Sequence, residues 1–319
     1  MAAVGLLAAC GSDGNTVNGQ PTATASSLNV ATSAAAGTTA AAPDSTGVPT
    51  TLPPPPVPTD LGPVATEPVT PWLLPPKGGY FDYQLSGDYP PASGVVVVTR
   101  DWFAGTPEPG LYNICYVNAF QTQPPDSDTR PDVREGWPAE VVSDLEDPNW
   151  PGEFLIDLGT PERRAMAAAF VGTMIDTCAQ KGFDAVEFDN LDSYTRFDDG
   201  PFGQAEALEY AATITAAAHA KNLAVAQKNT AELTREQALE QVGFDFAVVE
   251  ECAEYDECRG YEDLYGIRIL SIEYTVEGMN AACRQFGAPV PVVRRDRDLV
   301  TPADPGYEFE KSCGPAGYG

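Results

Sequence analysis

The chain has 319 residues, and its 46 acidic against 18 basic side chains give a formal net charge of −28 at pH 7. Contacts to nucleic-acid phosphates need clustered lysine and arginine, so this composition argues strongly against DNA or RNA as a partner. The excess of carboxylates is compatible with a cationic substrate and also with an acidic, well-solvated surface. The length suffices for one large domain and a tail.

The first 70 residues differ in composition from the rest. They contain no lysine or arginine and consist mainly of Ala, Thr, Ser, Gly and Pro. Leu7-Ala8-Ala9-Cys10 resembles the end of a signal peptide with a bacterial lipobox, in which the cysteine carries the lipid. Residues 11–70 offer too little apolar surface to offset the entropy of ordering. We predict a signal-peptide remnant over 1–10, lipidation of Cys10, a disordered Pro/Thr/Ala-rich linker over 11–70 and one folded domain over 71–319.

Strand-like and helix-like segments alternate from about residue 94 onward. Residues 95–99 form a β-branched run that suits a buried strand. Thr160, Pro161 and Glu162 can cap and open a helix that Lys181-Gly182 would end. Further strands are predicted at 111–117, up to 189, at 223–227, up to 250, at 267–272 and at 290–293, with helices ending near 219–221, around 234–242 and through 279–286. At least six such β/α units favour an α/β fold, a (β/α)8 TIM-like barrel, over an open doubly wound sheet.

Six cysteines follow Cys10 in the sequence. An even number in an exported chain favours disulfides, although six cysteines allow many pairings. Cys252–Cys258 suits a short loop, Cys283–Cys313 would hold the C-terminal tail, and Cys115–Cys178 would be the remaining pair. The sequence has no CxxC pair and a single histidine, His219, so we expect neither a metal nor a cofactor.

Polar residues gather where several predicted strands end. Such strand ends line the mouth of a barrel's active site. His219 lies in an Ala-rich helix away from any strand end, which argues against Ser-His-Asp and Cys-His catalysis. Glycoside hydrolysis is the reaction class that needs only two carboxylates. The strand-end residues are Asn118, Asp189, Asn190, Asp192, Lys228, Asn229, Glu250, Glu251, Glu273 and Tyr274.

The order of these motifs resembles glycoside hydrolase family 114, the endo-α-1,4-polygalactosaminidases. The matching segments are Tyr83-Gln84-Leu85-Ser86-Gly87, Cys115-Tyr116-Val117-Asn118-Ala119, the run from Gly182 to Asp192, Lys228-Asn229, Glu250-Glu251-Cys252 and Ile272-Glu273-Tyr274. The resemblance implies a TIM-like barrel that cleaves α-1,4-linked galactosamine or N-acetylgalactosamine polymers, with Asp189 and Glu250 catalytic. It also implies that Asn190, Asp192, Lys228, Asn229, Glu273 and Tyr274 bind substrate, and we add Asn118 from its place at a strand end.

These matches lead to a mechanistic hypothesis. Asp189 acts as nucleophile or ion-pair stabiliser, while Glu250 protonates the leaving oxygen and then activates water. Glu187 and Glu251 are expected to point away from the site and to support it. Trp102, Trp137 and Trp150 are candidates for stacking on sugar rings.

Three alternatives remain open at this stage. The barrel could cleave another α-linked amino-sugar polymer, or the chain could be a surface-tethered carbohydrate-binding lipoprotein without activity. A divalent cation between Asp189, Asp192 and Glu250 is a third reading, against which the nearby Lys228 argues. In every case we expect a monomer that is extracellular or at the cell surface, meets a membrane only through its lipid, and takes a polysaccharide as partner.

Overall fold

A nine-stranded sheet forms the centre of the computed structural model, which describes residues 70–123, 136–287 and 289–311. In chain order the strands are β1 (Tyr80–Gln84), β2 (Val95–Asp101), β3 (Tyr112–Asn118), β4 (Val142–Glu146), β5 (Phe154–Ile156), β6 (Ala185–Asp189), β7 (Ala224–Lys228), β8 (Phe246–Glu250), β9 (Ile269–Glu273), β10 (Val292–Arg295) and β11 (Phe309–Glu310). The helices are α1 (Pro161–Lys181), α2 (Gln204–His219), α3 (Cys258–Tyr265) and α4 (Val276–Phe286), with a 3₁₀ turn at Ser193–Thr195 and a π-helical segment at Glu236–Val242.

The sheet has the strand order β1-β2-β3-β6-β7-β8-β9-β10-β11. Each neighbouring pair from β1 to β10 is parallel, and only β11 pairs antiparallel, with β10. Strands β4 and β5 form a separate antiparallel hairpin. The eight parallel strands follow one another in chain order, and a helical segment lies in each connection between neighbouring parallel strands from β3 to β10.

Both faces of the curled sheet are buried. Apolar side chains from all eight parallel strands, among them Phe81, Ile114 and Phe246, pack together on the inner face. The outer face packs against the helices through a second cluster that includes Val186, Val225 and Met174. This arrangement confirms the predicted TIM-like α/β fold.

The helix that leads into β6 is specified by local signals. Thr160 accepts a hydrogen bond from the Arg163 backbone N–H, Pro161 takes the first position, and Gly182 ends the helix with a φ of 91°. A left-handed residue at this point is cheap for glycine alone. The chain therefore turns at once into β6, and Asp189 comes to lie at the strand's carboxyl end.

The join between β10 and β1 is made by a side chain. Arg295 is fully buried, donates to the Tyr83 carbonyl oxygen and lies 3.5 Å from Asp82. It also donates to the carbonyl oxygens of Val300 and Glu308 at 2.9 and 3.0 Å. The guanidinium thus replaces a backbone ladder at this seam.

Two of the predicted disulfides are present. Cys115–Cys178 ties β3 to α1, and Cys252–Cys258 ties the end of β8 to α3. Cys313 lies outside the described residues, so its pairing with Cys283 stays a prediction.

Several boundaries differ from those predicted. Strand β1, the β4–β5 hairpin and β11 were not anticipated, and the helix predicted around 234–242 winds as a π-helix over Glu236–Val242. Residues 1–69, which include Cys10 and almost all of the predicted linker, lie outside the described residues. Within the described ranges, no helix combines the length and apolarity needed to cross a bilayer.

Candidate active site

Lys228, the last residue of β7, lies at the centre of the site. Its ammonium nitrogen is 3.0 Å from Glu187, 3.1 Å from Asp189 and 3.3 Å from Glu250, and its side chain is only 2% exposed. Alternation along β7 places small Ala224 and Ala226 below it on the same inner face, which leaves room for the long side chain. Burial lowers the pKa of Lys228, but the surrounding acids outweigh burial and raise it well above its usual value, so the amine is charged.

Asp189, the last residue of β6, is held as a carboxylate. Its Oδ2 accepts a 2.6 Å hydrogen bond from the Tyr116 hydroxyl, and its Oδ1 accepts from the Asn190 backbone N–H at 2.8 Å. Burial raises the pKa of Asp189, but the Lys228 charge and these hydrogen bonds outweigh burial, so the pKa lies below its usual value. An ionised carboxylate at this point is equipped to attack or to stabilise a cationic centre.

Glu250, the last residue of β8, is gripped on both carboxylate oxygens. Asn229 donates to Oε2 at 3.1 Å, and Tyr274 donates to Oε1. The Asn229 amide oxygen in turn accepts from the Glu250 backbone N–H at 2.8 Å. Burial and the Glu250 charge raise the pKa of Tyr274 well above its usual value, so the phenol keeps the proton that it donates.

The residue that follows each of these three strands has a left-handed backbone conformation. Asn190, Asn229 and Glu251, which directly follow β6, β7 and β8, have φ values of 64°, 45° and 54°. Left-handed residues stop each strand sharply, and asparagine tolerates this conformation better than most residues. The turn after each strand therefore leaves its last side chain facing the cleft.

The strand ends open into an acidic cleft with two adjoining parts. The part above Asp189 and Glu250 has a volume of about 530 Å³ and the neighbouring part about 810 Å³. Trp150 and Tyr255, which are 48% and 65% exposed, stand on its walls. Eight carboxylates line the two parts together, against three cations: Glu153, Asp189, Asp192, Glu232, Glu250, Glu251, Glu257 and Asp298 against Arg196, Lys228 and Arg297.

The structure brings most of the predicted site residues to this cleft. Seven of the nine predicted catalytic and binding residues line it, namely Asp189, Asn190, Asp192, Lys228, Asn229, Glu250 and Tyr274. Asp192 is held by Arg196 at 3.0 Å, and Arg196 also reaches buried Asp147 at 3.0 Å. Asp192 is therefore already paired with a guanidinium at the cleft wall.

Asn118 and Glu273 are not brought into the cleft. Asn118 lies behind it, where its amide oxygen accepts from Asn190 at 3.1 Å. Glu273 is fully buried and accepts from the Ala253 backbone N–H at 3.2 Å, while its Oε2 has no hydrogen-bond partner among the described residues. Burial raises the pKa of Glu273 to about 7.

The expectation that Glu187 points away from the site was wrong. Glu187 and Asp189 are two residues apart on one strand, so alternation places them on the same face. Glu187 lies one layer deeper, fully buried, and contacts Lys228. Glu251 does not line the part of the cleft above Asp189 and Glu250, but it lines the neighbouring part, where it forms a two-pronged ion pair with Arg297 at 2.6 and 3.1 Å.

Sequence reasoning assigned no role to Tyr83, Tyr116, Arg196 or Arg297. Tyr116 lies two residues before Asn118 on β3, so alternation could have placed its hydroxyl at the site. The Arg297 guanidinium lies 4.6 Å from the ring centre of Tyr274 and so packs on the residue that holds Glu250. No local pattern signals that contact.

The candidate tryptophans and the histidine lie in different parts of the molecule. Of the three candidate tryptophans only Trp150 lines the cleft, since Trp137 is buried against Phe170 and Trp102 packs against the outer core. His219 is hydrogen-bonded to Asp245 at 2.9 Å and its ring stacks on that of Trp72 at a centroid distance of 3.8 Å. His219 thus joins the segment before β1 to the barrel.

The described residues contain one close group of side chains of metal-binding type, Cys252, Cys258 and Glu273. The two cysteines are joined in a disulfide, so their sulfurs are not the thiolates that bind metals. Between Asp189 and Glu250, the place that a divalent cation would take is filled by the Lys228 ammonium.

The chain is similar to known proteins in sequence and in fold. The family model of glycoside-hydrolase family GH114 matches residues 63–314. The structure of Aspergillus fumigatus Ega3 in complex with galactosamine has a TM-score of 0.62 and 23% identity, over 77% of this chain and 99% of that one. The glycoside hydrolase domain of PelA from Pseudomonas aeruginosa has a TM-score of 0.50 and 15% identity, over 70% and 96%.

An uncharacterized protein of Deinococcus radiodurans is 30% identical over 198 residues. The match covers 57% of this chain and 62% of that relative's length. The family model covers most of the chain, including every residue of the cleft. The chain therefore belongs to glycoside-hydrolase family GH114 and is a glycosidase.

Proposed function

We propose that this chain hydrolyses an α-1,4-linked, galactosamine-containing polysaccharide outside the cell, with Asp189 and Glu250 as the catalytic pair. The observation that carries the proposal is the placement of both carboxylates on one buried ammonium at the base of an acidic cleft. Family membership and the galactosamine named with Ega3 support the choice of sugar.

The two carboxylates take different roles because their surroundings differ. Asp189 is kept ionised and attacks the anomeric carbon while the glycosidic C–O bond breaks. Tyr274 and Asn229 hold the Glu250 carboxyl in place, and we assign its protonated form as the acid that gives a proton to the leaving oxygen. Water then attacks the anomeric carbon, its proton passes to Glu250, and Asp189 leaves as a carboxylate.

The contact that both carboxylates make with Lys228 leads us to expect retention of the anomeric configuration. Lys228 Nζ lies 3.1 Å from Asp189 and 3.3 Å from Glu250. The distance between the nearest oxygens of the two carboxylates therefore cannot exceed the sum of these two distances. Retaining glycosidases have carboxyl groups about 5–5.5 Å apart, whereas inverting enzymes need about 6.5–9.5 Å to admit water.

The cleft suits a cationic sugar chain. Carboxylates outnumber cations along its walls, so ammonium groups of deacetylated galactosamine are attracted there. Trp150 and Tyr255 offer flat apolar surface to sugar rings. We therefore expect a preference for polymers with at least some free amines.

Two variants with matched controls test the catalytic pair. Asp189→Asn and Glu250→Gln should each lower kcat on α-1,4-galactosamine oligomers by about a thousandfold. The same changes at exposed acids, Asp263→Asn and Glu240→Gln, should leave kcat within about twofold. Full activity of both Asp189→Asn and Glu250→Gln would overturn the assignment.

Product analysis tests the substrate and the stereochemistry. Oligomers with defined acetylation, followed by NMR of the newly formed anomeric centre, should give α-configured products at first. Initial β-products would mean inversion, and turnover confined to another amino-sugar polymer would mean that the proposed substrate is wrong.

The predicted lipid on Cys10 is tested separately by the intact mass of the protein extracted from bacterial membranes.

A further inference from the structure

A third carboxylate lies beneath the catalytic pair. Glu187 is fully buried, with Oε1 3.0 Å from Lys228 Nζ and 2.5 Å from the Tyr83 hydroxyl. Its Oε2 has no hydrogen-bond partner among the described residues. An ion pair in an apolar interior is often no more stabilising than apolar side chains of the same volume. Packing alone therefore does not account for a glutamate at this position.

The Lys228 ammonium is surrounded by more acceptors than it can satisfy. Besides the three carboxylates, the Tyr83 oxygen lies 3.2 Å from Nζ. An ammonium group has only three hydrogens to donate, so the position of Nζ depends on how strongly each neighbour attracts it. Asp189 and Glu250 attract it from the cleft, and Glu187 attracts it from the interior.

Of the three carboxyl groups around Lys228, Glu187 is the one whose surroundings favour the protonated form. Burial raises the pKa of Glu187 to about 7, with Lys228 opposing the rise, whereas the pKa of Asp189 lies below its usual value. Below neutral pH, Glu187 is therefore largely neutral, and the full charge of Lys228 serves the two groups at the cleft.

We propose that Glu187 is a positioning residue for the glycosidase reaction. Its side chain holds the Lys228 ammonium between Asp189 and Glu250 by direct contact and not by its own charge. The proposal rests on the roles proposed above for Asp189 and Glu250. If Glu187 no longer reached Nζ, the ammonium would settle on one catalytic carboxylate and leave the other without it. A misplacement of about 1 Å in a catalytic group can cost about a hundredfold in rate.

Two conservative variants separate contact from charge. Glu187→Gln keeps the length and an acceptor oxygen but cannot ionise, whereas Glu187→Asp keeps an ionisable carboxyl but withdraws it by one methylene. At about pH 5.5, Glu187→Gln should keep kcat within about threefold of the wild type, and Glu187→Asp should lose about 30-fold, with KM within about twofold in both. A role carried by charge predicts the reverse order.

Val248→Ala is the matched structural control. Val248 stands two residues before Glu250, as Glu187 stands before Asp189, and it is fully buried on the same inner face. Val248 pairs with Lys228 across β7 and β8 but offers its ammonium no hydrogen-bond partner. Its truncation should therefore lower the melting temperature and leave kcat within about twofold, because it removes apolar packing and no polar contact of Lys228.

A substrate-free measurement accompanies the kinetics. In protein labelled with ¹⁵N-lysine, the Lys228 ammonium should give a sharp, slowly exchanging NMR signal in the wild type and in Glu187→Gln, and a broadened signal in Glu187→Asp. Wild-type kinetics in Glu187→Asp, or Glu187→Gln no faster than Glu187→Asp, would overturn the positioning role, as would unchanged Lys228 signals in all three. Full activity of Asp189→Asn and Glu250→Gln would instead overturn the proposed function, and the NMR result would still decide whether Glu187 holds Lys228.

Discussion

Two buried cations hold different parts of the barrel together. At the carboxyl ends of β6, β7 and β8, Lys228 lies among carboxylates, and backbone ladders already join these strands. At the seam between β10 and β1, the described residues show no such ladder, and Arg295 bridges the strands through the Tyr83 carbonyl oxygen and Asp82. It also donates to the carbonyl oxygens of Val300 and Glu308 in the segment after β10.

The difference teaches how each cation is used. The guanidinium of arginine is a rigid fork with several donors, which suits it to fix several carbonyl groups at once. The ammonium of lysine is a compact charge, and its carboxylate partners can gain and lose protons during a reaction. Arg295 therefore serves the fold, and Lys228 serves both the fold and the proposed chemistry.

The largest expected effect comes from breaking the seam. Arg295→Met should lower the free energy of unfolding by about 3–5 kcal/mol, because it leaves buried Asp82 without its cation and β10 without its bridge to β1. The neighbouring Arg294→Met removes ion pairs to exposed Glu308 and Glu310 and should cost at most about 1 kcal/mol. Equal losses in chemical denaturation would contradict a special role for Arg295.

The second effect comes from removing the other cation. Lys228→Met should lower kcat by about a hundredfold, as expected when a preorganised charge leaves an active site. Without the ammonium the pKa of Asp189 rises, so the acidic limb of the pH profile of kcat/KM should move to higher pH. Lys221→Met, at an exposed pair with Asp176, is the control and should leave the profile in place. An unmoved acidic limb in Lys228→Met would separate Lys228 from the ionisation of Asp189.

Glu273 is a buried acid that has no cation partner among the described residues, in contrast to the acids around Lys228 and Arg295. The pKa of Glu273 is about 7 in the folded protein against 4.5 for a fully solvated glutamate, so the folded state binds more protons between these values. Its stabilising effect is complete below about pH 4.5 and is lost as the pH rises to about 7, on the order of 3 kcal/mol. Thermal melts of Glu273→Gln over this window should show a flatter decline than the wild type. An identical decline in the two proteins would mean that Glu273 does not contribute to the pH dependence of stability.

The smallest effect is expected at the rim of the cleft. Trp150→Ala should raise KM for the polymer by up to about tenfold with kcat within about twofold, because stacking on an aromatic ring contributes about 1 kcal/mol. Phe103→Ala removes an exposed aromatic that does not line the cleft and should leave KM unchanged. Similar KM values for both variants would argue against sugar stacking on Trp150.

Local signals made much of the fold predictable. The bounds of α1 follow from the Thr160 cap, Pro161 and Gly182, and β6 occupies the residues that its apolar run indicated. The short β4–β5 hairpin was missed because β4 is polar and partly exposed without strong alternation, and β5 is an apolar run of only three residues. The carboxylates at the ends of β6 and β8 were predictable because strand ends in a parallel barrel share one rim.

By itself, the sequence determined the α/β alternation, the family and the carboxylates at the strand ends, since each of these is written in contiguous residues. Only the tertiary structure decided that Glu187 faces Lys228, that Glu273 and Asn118 lie behind the cleft, and that Arg295 joins the seam. The Lys228–Tyr83 and Arg295–Asp82 contacts span 145 and 213 residues of the chain. No local pattern records such partners, because they meet only when the sheet curls and brings its first strand beside its last parallel one.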